Sequence, residues 1–263
     1  MLPDLWLIKF NKKLAEFSVP RAWSGGTAKF LTSVDNRGLM LVSPASAPDC
    51  FLLKLSRPEN RLSTTPSIDY YFAPQSPWTY LGHERFAQIA RSANATVRVL
   101  PIDLGKVFPI SGGLPLGQRA PQRQAYRLVE LQRFSTQLNA PLKLQPKYFP
   151  VAGDAASRLI IAVELQDGSE AAMKIAGAVF SAVWVGERDI ADTAVLAGLL
   201  TECGLKSERL AQSHAPDVQA RYQANTQQAI DAGVFGAPSY VLNGEIFWGQ
   251  DRLDFVERKL KSL

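Results

Sequence analysis

The chain has 263 residues, of which 46% are hydrophobic, 10% aromatic and 20% charged, a composition that supports a sizeable globular core and excludes collagen-like, coiled-coil and wholly disordered chains. Its net charge of +5 is concentrated at the start: residues 1–66 hold nine Lys/Arg against five Asp/Glu, and the other 197 hold twenty against nineteen. So neutral a body, with no basic stripe, excludes nucleic acid as the expected partner.

The most apolar stretch, residues 171–186, is interrupted by Lys174 and is shorter than the ~20 apolar residues that span a bilayer, so no membrane partner is expected. Cys50 and Cys203 are the two cysteines. They form no Cys-x-x-Cys pair and no disulfide framework, which points to a reducing, cytoplasmic location. His83 and His214 are too few and too far apart for a metal site and read as surface or packing residues; no metal is expected.

Residues 1–66 carry short apolar bursts at 5–8, 39–42 and 51–53 without sustained periodicity, and no domain can be built from them. Asp4 precedes the first burst and Lys9, Lys12 and Lys13 follow it, the reverse of a secretory signal. The Ser/Thr/Pro-rich residues 57–66 read as a linker. Three readings stay open for this stretch: a flexible extension, a small docking element, or an upstream piece outside the mature protein.

From there the elements follow in order. Residues 68–73 are aromatic and β-branched enough for a buried strand, and Ser76-Pro77 opens a helix to about Ser92, with Ser76 as N-cap and Pro77 at the first helical position. Residues 96–102 make a second strand, parallel to the first. A Gly/Pro-rich loop over 105–121 leads into Leu128, Leu131, Phe134 and Leu138 at helical spacing, then helices over 155–164, 170–185, 190–203 and 218–232, the last with Asp217 as N-cap. Asn243-Gly244 between apolar runs at 238–242 and 245–248 is a strong hairpin signal. Asp251 is placed to cap a closing helix over 252–260. The fold class is therefore α/β, a thioredoxin-like βαβ…ββα order with a helical domain inserted between its halves: 67–117 and 234–263 form the two halves, and 118–233 the insert.

Ile68-Asp69-Tyr70-Tyr71-Phe72, Ser76-Pro77-Trp78-Thr79-Tyr80-Leu81-Gly82, Gly233-Val234-Phe235-Gly236-Ala237-Pro238 and Trp248-Gly249-Gln250-Asp251-Arg252 together resemble the 2-hydroxychromene-2-carboxylate isomerase family. These are relatives of kappa-class glutathione transferases and, more distantly, of the disulfide oxidoreductase DsbA. The resemblance covers about residues 67–263. In thioredoxin-like redox proteins the first helix begins at Cys-x-x-Cys, where the helix N-terminus lowers a thiol pKa. Here that stretch is Ser76-Pro77-Trp78-Thr79, which cannot exchange disulfides but can stabilise a thiolate carried by a ligand.

The resemblance implies glutathione as cofactor, with Ser76 facing its sulfur and a conjugated aromatic small molecule as substrate. It further implies that Pro238 is cis, that Ala237 pairs its backbone with the cysteinyl part, and that Gln250 and Asp251 meet the γ-glutamyl group. Arg123 meets the glycyl carboxylate, and Trp78 borders an apolar substrate pocket between the first helix and the insert. Each residue has a plainer reading, as cap, strand start, solvated charge or core. The sequence departs from the family at Gly113 and Ala152, where relatives carry asparagine. Relatives are often homodimers. An isomerase, a kappa-like transferase and a non-catalytic glutathione- or peptide-binding protein all remain open.

Overall fold

The computed structural model describes residues 65–263 and, in the backbone, two earlier strands. Those strands, β1 (Phe30–Val34) and β2 (Met40–Pro44), pair antiparallel within a unit covering residues 1–62. The linker assigned to 57–66 and the rest of the extension fall almost wholly outside the described residues.

In the second unit, β3 (Ser67–Phe72) leads through a tight turn into α1 (Pro77–Ser92), and the chain returns in β4 (Thr96–Pro101), parallel to β3. The Ser76 hydroxyl caps α1 by accepting from the Thr79 N–H, and Pro77 occupies the first turn, as the Ser-Pro pair predicts. The loop expected over 105–121 contains an additional helix, α2 (Leu104–Ser111), capped by the Asp103 carboxylate and carrying Pro109 inside it. Pro109 masks this helix in the sequence, because proline ordinarily ends one.

The insert holds α3 (Pro121–Gln137), α4 (Asp154–Asp167), α5 (Ser169–Trp184), α6 (Thr193–Glu202), α7 (Glu208–Gln212) and α8 (Pro216–Asp231). α7 has too few residues to show a period. Asp217 is not the N-cap of α8: Pro216 starts the helix one residue earlier, so Ala215 is the cap and Asp217 lies in the first turn. β5 (Ser239–Leu242) and β6 (Glu245–Trp248) then form the hairpin, with positive φ at both Asn243 and Gly244, as a primed two-residue turn requires. The chain closes in α9 (Leu253–Lys261).

The sheet order is β4-β3-β5-β6, with β5 antiparallel to both its neighbours. Alternation along the strands divides the core in two. Tyr70, Phe72, Val99, Tyr240 and Leu242 face α1, α5 and α9 in one cluster, while Tyr71, Leu100 and Val241 face α2 and α8 in another. The insert therefore packs directly on the sheet: Phe180 of α5 meets Phe72 edge-on at 5.3 Å.

Candidate active site

Strand β3 ends fully buried, and Ser76 N–H closes the turn onto the Ala73 carbonyl at 3.0 Å. This puts Ser76 at the positive end of a sixteen-residue helix. Its side chain is nearly enclosed, 9% exposed. The hydroxyl accepts from Thr79 N–H at 3.3 Å and donates to the Ala237 carbonyl at 3.4 Å. Both bonds are long, so a stronger acceptor arriving at the site can take over the proton.

Ala237 lies in the turn before β5, and its bond to Pro238 is cis. The turn is held from both sides. Ser239 Oγ donates to the Gly236 carbonyl at 2.8 Å, and Gly249 N–H donates to the Pro238 carbonyl at 2.9 Å. The Ala237 N–H has no partner among the described residues. Ser76, Ala237 and Pro238 are thus brought together from sequence positions far apart.

Gln250 and Asp251 differ from their sequence reading. They lie in a 3-10 turn over Gln250–Arg252, ahead of α9, and no side chain caps that helix. Asp251 instead pairs with the neighbouring Arg252 at 2.6 Å and is exposed. Gly249, at φ 98°, lets the chain turn into this segment. Gln250 is 1% exposed: Arg85 donates to its side-chain oxygen at 3.2 Å and to its backbone carbonyl at 3.4 Å, and its Nε2 is sealed in without a partner. Packing explains this inward turn. Gly82 of α1 has no Cβ, and one built there would lie 2.8 Å from Gln250 Cβ and 2.9 Å from the Tyr240 hydroxyl. The segment carrying Asp251 is therefore clamped to the helix that carries Ser76.

Trp78 is half-buried and meets Phe134 of α3 edge-on at 6.0 Å. Arg123 is exposed on the first turn of α3, and its side chain makes no hydrogen bond or ion pair among the described residues. Gly113 lies under the Phe108 ring, which a Cβ would overlap, so an asparagine does not fit there beside this phenylalanine. A cleft of about 740 Å³ runs between α1 and α5, bordered by Tyr80, His83, Lys174 and Cys203 among others. Neither Ser76 nor Trp78 lines it.

Sequence reasoning missed Gln75. Its side-chain oxygen is buried without a partner against Gly153 at the start of α4, where any Cβ would collide with it. The residues before Gly153 include a cis Phe149–Pro150 bond. Arg85 was likewise missed, since nothing marks it in the sequence beyond its place one turn after Leu81.

His83 is a packing residue. Its Nδ1 is 3.3 Å from the Tyr70 hydroxyl and its Nε2 is 3.0 Å from the Met173 carbonyl, so the neutral ring accepts from the tyrosine and donates to the carbonyl. Burial lowers its pKa to about 4. Cys203 is buried, which raises its pKa. Among the described residues there is no His/Cys/Asp/Glu cluster able to hold a metal ion, and no helix long and apolar enough to cross a membrane.

A family model for the DSBA-like thioredoxin domain matches residues 67–261. The chain belongs to that family. It is similar to the 2-hydroxychromene-2-carboxylate isomerase of Sphingobium xenophagum, with 30% identity over 198 residues that span 74% of this chain and 98% of the isomerase. It is also similar to glutathione S-transferase kappa 1 of Caenorhabditis elegans, with 24% identity over 211 residues, 75% of this chain and 92% of the transferase. A solved 2-hydroxychromene-2-carboxylate isomerase has the same fold at a TM-score of 0.63 and 28% identity, covering 74% of this chain and 95% of its own. Within the DSBA-like family the chain thus groups with the isomerases, as its motifs imply.

Proposed function

We propose that this chain is a glutathione-dependent isomerase of a conjugated aromatic acid of the 2-hydroxychromene-2-carboxylate type, working in the cytoplasm. One observation carries the reading: the redox turn of the fold holds Ser76 in place of a thiol, with its hydroxyl shared loosely between Thr79 and Ala237. When bound, glutathione supplies a thiolate that adds reversibly to the conjugated bond, allows rotation about it and leaves unchanged.

The residues present fit that cofactor. Ser76 Oγ–H can turn from the Ala237 carbonyl to donate to the sulfur, and the α1 N-terminus stabilises the same negative charge. Ala237 offers an N–H without a partner among the described residues and a carbonyl beside it, the pairing an extended cysteinyl backbone needs. The exposed Asp251 carboxylate suits the γ-glutamyl ammonium. Gln250 acts by holding this turn, because its side-chain oxygen and its backbone carbonyl both accept from Arg85. Arg123 has free donors for the glycyl carboxylate. Trp78 borders the apolar part of the substrate site, next to α3.

The test is calorimetric titration with reduced glutathione, followed by turnover of 2-hydroxychromene-2-carboxylate with and without it. Binding and glutathione-dependent turnover are expected. Glutathione binding with conjugation to electrophilic aromatics, and no isomerisation, would favour the transferase reading that the kappa-class relative supports. Binding with no turnover of either kind would leave a glutathione-binding protein.

A further inference from the structure

Arg127 of α3 lies between two aromatic rings. Its guanidinium carbon lies 5.2 Å from the centre of the Phe149 ring and 5.7 Å from that of Trp184. One end, Nη2, is sealed from solvent with no hydrogen-bond partner among the described residues. Among the described residues no carboxylate pairs with Arg127. Glu130, the acid nearest along the helix, is taken by Arg133 at 2.7 Å.

The neighbouring charges are cations. Arg123 stands one turn earlier on the same helix face, where like charges four apart repel. Arg119 is close enough to act on Arg127 electrostatically, and its own Nε is fixed by the Leu114 carbonyl at 2.8 Å. Burial and this neighbour lower the Arg127 pKa to about 10. A part-buried cation held by two rings, facing other cations and lacking an anion, is stabilised by whatever anion arrives. The rings hold the guanidinium in place with Nη2 turned inward, which leaves its other N–H groups to donate to a carboxylate.

Two routes connect this spot to Ser76. Phe149 lies four residues before Gly153, which touches Gln75 beside Ser76. α3 also reaches the first turn of α1 through Phe134 and Trp78.

We propose that Arg127, with Arg119 beside it, is a carboxylate-binding site that receives the acidic end of the aromatic substrate. The assignment of that carboxylate to a substrate rests on the function proposed above. The same chemistry could instead take the glycyl carboxylate of glutathione, and the experiment separates the two.

The full-length chain is titrated calorimetrically with trans-cinnamate and with cinnamamide, its uncharged counterpart, with and without glutathione. The wild type is expected to bind the acid at least tenfold more tightly than the amide. Arg127→Met is expected to remove that preference while leaving the glutathione Kd within twofold, and Arg127→Lys to restore part of it. A loss of glutathione affinity in Arg127→Met that is absent with the glycyl ethyl ester of glutathione would keep the carboxylate site and assign it to the cofactor. Equal binding of acid and amide to the wild type, a comparison that needs no variant, would overturn the proposal. An acid preference in a protein that does not bind glutathione would retain the site and reject the glutathione reading.

Discussion

The hydroxyl of Ser76 donates to the carbonyl of Ala237 at 3.4 Å across 161 positions of sequence. The same oxygen caps α1, so one atom has two separable duties. Ser76→Ala removes both: glutathione-dependent turnover is expected to fall at least a hundredfold, and the lost cap to cost about 1 kcal/mol. Ser76→Asp keeps a capping oxygen while placing negative charge where a thiolate must go. It should therefore recover the melting temperature but not the activity. Activity that follows the melting temperature through both variants would reduce Ser76 to a cap.

The Gly82 contact with the Gln250 segment leads to a second prediction. In an exposed helix, Gly→Ala stabilises by about 1 kcal/mol. Here the added methyl meets Gln250 Cβ at 2.8 Å and the Tyr240 hydroxyl at 2.9 Å, and overpacking of this kind costs about 1–3 kcal/mol. Gly82→Ala is thus expected to lower the melting temperature and, by displacing Asp251, to weaken glutathione binding. Urea unfolding and calorimetry check both. A stabilised variant would mean that the turn yields freely.

His83 makes stability depend on pH. Its ring is neutral in the folded protein, with a pKa of about 4 caused by burial, against 6.5 for the free side chain. Between these values the unfolded chain binds more protons, so stability is fully present above pH 6.5 and declines as pH falls toward 4. The contribution at stake is about 3 kcal/mol. Urea unfolding at pH 7.0, 5.5 and 4.5 should show this decline, and His83→Phe should flatten it. Gly177 faces the His83 ring, with a built Cβ 3.1 Å from it, so larger residues at 177 should destabilise even at neutral pH.

Arg123→Ala separates binding from chemistry. Its side chain is exposed and makes no hydrogen bond or ion pair among the described residues, so folding should be unaffected. If it meets the glycyl carboxylate, the glutathione Kd should rise about tenfold, with little change in kcat at saturating glutathione. An unchanged Kd places the side chain in solvent.

The elements that depend on local rules were legible in the amino-acid sequence. The Ser76-Pro77 cap, the Asn243-Gly244 turn and the aromatic run of β3 each act within a few residues, so steric and hydrogen-bonding preferences suffice to read them. Their order specified a thioredoxin-like fold, and the serine in the redox turn by itself excludes disulfide exchange. Local rules misled at three places: Pro109 concealed α2, Pro216 moved the start of α8 ahead of Asp217, and α7 was too short to show a period.

Tertiary structure decided the rest. It set Ser76 against Ala237, turned Gln250 inward onto Arg85, and left Arg127 between Phe149 and Trp184 with no carboxylate partner among the described residues. Each outcome depends on which distant surface a side chain meets. A missing Cβ at Gly82 or a ring over Gly113 acts through space, across sequence separations that no periodicity records.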